Sequence, residues 1–405
     1  MQIDTAGTYL LKYTAEDECG NVTEVTREVV AEVPPVYGVL WDGSESPVWT
    51  RTDKAVDFAN PQPAVANGAG SSPFDNIMPW SGMQIVEDAE AGTLVSIPKF
   101  WFKWTLSENN SVQTVKLQIA NGPVDGFLVS PAHADRGDGN GERDVVYVGR
   151  YHCSDVDYKS TSGVLPKGQV TRADFRTNIH ALGNAVWQYD YAMFWTIRML
   201  YLVEFANWNS QVVIGYGCSA DRTRFNMGAT DAMQYHTGTD AASRDTYGSV
   251  QYRHIEGLWD NVYDWVDGIN SLWSNDDVLR WSICNDPNYF TDTITGDYIM
   301  VGSTASNSLA RGNAIPKKFN TEHLHDWMTF ALVPIELEAD SSYSKWVCDS
   351  NNTKPTTRQS NGVVFSGGAY YNQQYQGIFH INASYLYNST LSLAHGGRLM
   401  KLPSA

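Results

Sequence analysis

The chain has 405 residues, 42% of them hydrophobic and 12% aromatic, with 14 Trp and 22 Tyr, so it can bury a sizeable core and is long enough for two or three domains. Its net charge of -17 and pI near 4.8 argue against a nucleic-acid partner, because an acidic surface repels phosphate backbones, and against attraction to anionic membranes. Cys19, Cys153, Cys218, Cys284 and Cys348 are odd in number and irregularly spaced, which gives no disulfide framework, and no Cys-x-x-Cys pair offers a zinc or redox site.

The polar, turn-forming residues after Met1 predict no secretory leader there, and no apolar run is long enough to span a bilayer. Thr8 to Ala15 and the run carrying Val22, Val25, Val29 and Val30 flank a turn at Asp17–Asn21, predicting a β-hairpin. About 33 residues cannot form a whole sandwich, so residues 1–34 read as the last strands of a larger β domain, closed by the linker prolines Pro34 and Pro35. Residues 35–90 are rich in Gly, Pro, Ser and Asn and read as an irregular, β-rich connector. Strands are expected at Thr93–Ile97, Phe100–Leu106, Val115–Ile119 and Val145–Val148. Two helices follow. Thr171 and Asp174 form a capping-box pattern ahead of Phe175, Ile179 and Leu182, and Gly183 stands at the stop. Trp187 to Asn207 is apolar on most faces and predicts a largely buried helix. No long repeat and no heptad pattern occurs.

The most unusual stretch is 363–397, which holds no Asp, Glu, Lys or Arg. At the 18% charged fraction of the chain, roughly six would be expected there. It carries five Tyr (Tyr370, Tyr371, Tyr375, Tyr385 and Tyr387), where proportional use gives about two. Phe379, Ile381 and Ala383 alternate with His380, Asn382 and Ser384, which predicts a strand with an apolar inner face and a polar outer face. Tyr supplies large amphipathic contact area at low entropic cost, and Asn and Ser supply adaptable hydrogen bonds, the combination used by antibody loops.

Several other groups could suggest chemistry. Asp135–Glu142 looks like a calcium loop, but Arg143 and Gly149 stand where an EF-hand needs Gly and Glu, so a polar turn is expected. The same turn contains the integrin-type tripeptide Arg136-Gly137-Asp138, short enough to arise by chance. His236 with Asp231, and Asp260, Asp264 and Asp267 around Trp259 and Trp265, could suggest acid–base catalysis; the favoured reading is buried hydrogen-bonding groups that hold long loops. Neither a Gly-x-Ser-x-Gly nor a His-Glu-x-x-His motif is present.

The run Gly367-Gly368 … Gly377-Ile378-Phe379 … Gly397-Arg398-Leu399-Met400-Lys401-Leu402-Pro403 resembles the variable region of proteins diversified by diversity-generating retroelements. Ile97-Pro98-Lys99-Phe100-Trp101, Ser130-Pro131-Ala132-His133, Leu200–Ala206, Ile214-Gly215-Tyr216-Gly217 and Ile255-Glu256-Gly257-Leu258-Trp259 resemble the rest of that family, in order, from about Tyr37 to Ala405. The hairpin resembles the end of a bacterial immunoglobulin-like repeat. The resemblance implies an α+β C-type lectin fold of the formylglycine-generating-enzyme subgroup, with mixed antiparallel sheets, two helices and long loops, over 91–405 and with its variable region at 363–398. The cysteine pair of the related enzymes is missing from the C-terminal region, so no enzymatic activity, cofactor or metal is expected.

What the resemblance further implies is binding, in a phage tail or on a bacterial surface, of a host cell-surface protein or glycan, in assemblies that are often trimeric. Copying that mutates template adenines turns Asn codons into a palette of Asn, Tyr, Ser, His, Asp, Ala, Thr and Gly. The implied ligand-binding set is Tyr370, Tyr371, Asn372, Tyr375, His380, Asn382, Ser384, Tyr385, Tyr387 and Asn388, with Phe379 and Ile381 as inward anchors. Two rival readings stay open: a calcium- or aromatic-dependent carbohydrate-binding or glycan-active protein, and a purely structural virion protein.

Overall fold

A computed structural model describes residues 7–44, 46–217, 221–304, 314–320, 326–339, 351–352, 360–372, 376–386 and 392–404. The described residues are mostly β-sheet with few helices, a β-richer balance than the expected α+β class suggests. The N-terminal hairpin forms as predicted, with β1 (Gly7–Glu16) antiparallel to β2 (Val22–Ala31) in a sheet of two strands. Asp17 closes its turn by accepting from the Cys19 and Asn21 amides at 2.9 Å each.

The stretch read as a connector differs from expectation. β3 (Val36–Trp41) pairs with Val112–Ala120 on one side and with β4 (Thr50–Asp53) on the other, inside a five-stranded sheet that also holds Trp101–Asn109. Tyr37, Trp41, Trp49, Phe74 and Trp80 enter the same apolar core as the later elements. Residues 36–90 therefore belong to the main body. The physical reason is aromatic content: widely spaced large rings bury enough area to recruit turn-rich chain into a core.

A second five-stranded sheet places the C-terminal strand Leu399–Lys401 between Val186–Gln188 and Val145–Gly149, followed by Gly92–Pro98 and Ile85–Asp88. The predicted strands near 93, 100, 115 and 145 are all present. Both expected helices form. α1 (Arg172–His180) is capped by Thr171, whose Oγ1 accepts from the Asp174 amide at 3.1 Å. α2 (Tyr191–Phe205) starts later than expected, because Val186–Gln188 is extended and Asp190 supplies the cap. All of α2 is buried, as its apolar run predicted. Two ionic residues in it are matched internally: Glu204 receives the Arg253 guanidinium at 2.5 and 3.0 Å, and Arg198 donates to the Tyr189 hydroxyl at 2.6 Å.

The largest sheet carries the charge-free segment. Its central strand, Tyr263–Trp273, pairs antiparallel with Ser360–Ser366, which in turn pairs with Ile381–Leu386. The short strand His395–Gly396 runs parallel to the start of the central strand. Val363, Val364 and Phe365 are consecutive and all buried, so this part of the sheet is covered on both faces.

Candidate functional site

The turn that joins Ser360–Ser366 to Ile381–Leu386 carries the most exposed part of the tyrosine-rich segment. Its backbone is fixed by close approach. Gly367 has φ +78°, and a Cβ there would lie 2.4 Å from the Leu258 carbonyl oxygen; a Cβ on Gly368 would lie 2.5 Å from that of Trp259. The Tyr370 amide donates to the Asn261 carbonyl at 3.0 Å. Asn372 closes the turn on itself: its Oδ1 accepts from the Ala369 amide at 2.5 Å, and its amide donates to the Ala369 carbonyl at 2.9 Å. Further on, the Ile378 amide donates to Ser210 Oγ at 3.0 Å, and Arg198 Nε donates to the Ile378 carbonyl.

Tyr371 is 38% exposed and Tyr370 is half-buried, and their rings meet edge to face at 5.0 Å. Below them lies an aromatic stack. Tyr263 touches Tyr371 at 6.4 Å, His380 at 5.8 Å, His395 at 5.5 Å and Phe365 at 4.7 Å between ring centroids. The Tyr263 hydroxyl donates to Gln376 Oε1 at 2.6 Å. Burial, and then the neighbouring Tyr371, push the Tyr263 phenol well above its ordinary range, so it stays neutral. Burial likewise pushes the His380 imidazole down to about 3 and that of His395 down to about 4. The floor of the face is therefore uncharged near neutral pH.

Of the ten expected binding residues, the structure brings Tyr370, Tyr371 and Asn372 together on this turn, with Asn372 spent largely on closing it. His380 and Asn382 require correction. They were expected on an exposed polar face, yet His380 is 1% and Asn382 7% exposed. Alternation fails here because the chain turns at residues 377–380 before the strand begins at Ile381, with the His380 amide donating to the Gly377 carbonyl at 3.2 Å. Asn382 then faces Phe365 in a sheet covered on both sides. The inward anchors Phe379 and Ile381 are buried as expected. Tyr375, Tyr387 and Asn388 lie outside the described residues; Ser384 and Tyr385 are described only through their strand, in which Tyr385 pairs with Val363. Tyr263, Asn261 and Gln376 support the face and were not anticipated. Tyr263 opens an apolar run and carries no local signal; only its pairing with distant chain reveals it.

The suspected acid–base groups are engaged by other side chains and amides of the protein. Asp267 is buried and accepts from Arg176 Nη2 at 2.9 Å. Asp264 lies 3.4 Å from Arg398 Nε and 3.4 Å from His152 Nε2, all with no more than traces of exposure. Arg398 also donates to the carbonyls of Gly149, Arg150 and Glu256 at 2.7, 3.0 and 2.6 Å, so the Gly-Arg-Leu-Met motif ties the ends of two strands to the C-terminal chain. Asp260 accepts from Ser249 Oγ at 2.6 Å and the Val250 amide at 3.0 Å; burial, and then Glu256, push it up to about 8. His236 pairs with Asp75 at 2.9 Å and not with Asp231, which binds Arg150 at 3.0 Å. In the turn 135–142, Arg143 takes the Asp138 carboxylate, and Arg136 is buried against Asp190 at 2.7 Å, so neither end of the Arg136-Gly137-Asp138 tripeptide is presented. No helix among the described residues is long and apolar enough to cross a membrane.

In comparisons with known proteins, no family model and no curated protein matches the chain.

Proposed function

We propose that this chain is a non-catalytic recognition protein with a C-type lectin fold, whose segment 363–398 binds a host cell-surface protein or glycan from a phage tail or a bacterial surface. The observation that carries the reading is one turn: a charge-free segment projects Tyr370 and Tyr371 above a neutral aromatic floor, while main-chain contacts hold its path. Tyr is among the side chains enriched at binding hot spots, and a fixed backbone lowers the entropic cost of recognition. A C-terminal strand closing into a sheet with earlier strands, two principal helices and long loops supports the lectin assignment. Buried, internally engaged carboxylates at Asp260, Asp264 and Asp267 favour binding over acid–base chemistry.

The test is deep sequencing of the 3′ end of the gene across its natural population. Adenine-derived substitutions concentrated in codons 369–388 are expected. A uniform segment would overturn the diversified-face reading.

A further inference from the structure

Away from the tyrosine turn, two cavities share Asn285 and Trp327 and so form one groove. The first is about 330 Å³ and walled mainly by apolar groups, among them Phe102, Phe127, Leu128, Trp327 and Phe330; its polar side chains are Glu142 and Asn285. The second is about 460 Å³ and is walled by Asp135, Asp286, Asp297, Tyr289 and Arg136. None of the residues lining either cavity belongs to the turn or to the stack beneath it.

The two halves ask for different chemistry. Arg136 is the cation of the acidic half, and Asp190 already matches its charge at 2.7 Å. Among the described residues, no ion pair reaches Asp135, Asp286 or Asp297. Their field therefore favours a cation. The Arg136 side chain is 1% exposed, and its Nη1 has no hydrogen-bond partner among the described residues, so an acceptor on the ligand would complete it. In the apolar half, sugar hydroxyls would lose water and find few partners, whereas an apolar side chain loses nothing there. Trp101, at the edge of this half, already carries the Lys99 ammonium 5.6 Å from its ring, so the local aromatic surface tolerates cations.

We infer that the groove binds an extended basic peptide segment of a partner protein, with a bulky apolar residue in the aromatic half, a Lys or Arg against the three aspartates, and a backbone carbonyl facing Arg136. A second copy of this chain is a poor occupant, since its net charge is -17. Cation and apolar anchor come from alternate residues, which an extended chain carries on the same face about 6.6 Å apart.

Calorimetric titration of the full chain with acetyl-Phe-Lys-Lys-amide, beside acetyl-Phe-Glu-Glu-amide and maltotriose, tests this. Saturable binding of the basic peptide alone is expected, weakening with added salt. The doubly substituted Asp135→Asn/Asp297→Asn chain should bind about tenfold more weakly. Both positions are exposed and Asn keeps their acceptors, so folding is not at stake; Trp327→Ala should weaken binding through the other half. A Tyr370→Ala/Tyr371→Ala chain should bind the peptide unchanged, which separates this groove from the proposed receptor face. Failure to saturate, equal binding of the acidic peptide, preference for maltotriose, or indifference to the Asn substitutions would each overturn the inference.

Discussion

Tyr370 and Tyr371 differ from the residues beneath them in what they support. Their rings rest on the stack, but the turn is held by the Tyr370 amide, by Asn372 and by the glycines. Truncating both to Ala should cost little stability, of the order of 1 kcal/mol, while removing most ligand or host-cell binding. Thermal unfolding beside an adsorption assay measures the two effects, and a collapse of stability would make these residues core. His380 shows the opposite behaviour. Its folded value, about 3, lies below the ordinary 6.5, so the unfolded chain binds the extra proton and stability drains away as pH falls from 6.5 toward 3. His380→Leu should reduce that loss in denaturant titrations at pH 4 to 5. Asp260 has the reverse sign. Raised to about 8, it favours folding below its unfolded value and loses that contribution as pH rises through 8. Between pH 6.5 and 8 the loss approaches ~2 kcal/mol, and Asp260→Asn should flatten the curve there; an unchanged slope would assign it to other groups.

Among the elements, α2 links core and site. Arg198 lies in its middle, fully buried, with its guanidinium 3.4 Å from the Phe194 ring centroid and its Nε on the Ile378 carbonyl. Arg198→Met should destabilise the chain by ~3 kcal/mol, because hydrogen bonds to a charged donor are lost inside the core. Binding should fall along with stability, in contrast to the tyrosine truncations, and the paired measurements expose that difference. Both helices were legible because their signals are local: a cap at Thr171 and an unbroken apolar run in α2. Strands such as Val112–Ala120 were legible for the same reason. The strand at Ile381 was misread in its exposure, since period-two alternation reports facing only when one side of a sheet meets water. The support of Tyr263 for Tyr371 joins segments more than a hundred residues apart, and no window of sequence contains it.

At the scale of the molecule, the hairpin β1–β2 stands apart from the rest in its packing. Tyr9, Leu11 and Tyr13 share one face with Val25 and Val29, and nearly every residue of the two strands is exposed. An isolated pair of strands is marginal in water, and this pair leaves most of its apolar face to solvent. Deleting residues 1–33 should leave the unfolding midpoint of the main body within ~2 °C of its original value; a larger drop would show that the hairpin braces the core. Composition identified the hairpin but not the body's boundary at Val36, which is set by pairing with Val112–Ala120.

Apart from the Tyr371, Asn372 and Gln376 side chains and the two glycines, the described polar contacts of the turn at 367–378 with the body run through its own main-chain atoms. Leu258 and Trp259 crowd it with carbonyl oxygens, Asn261 accepts from an amide, and Ser210 and Arg198 grip the amide and the carbonyl of Ile378. Such anchors are blind to the codon at 370 or 371. Under the proposed diversification, those codons can be rewritten many times in succession, and each new surface would inherit the same chain path.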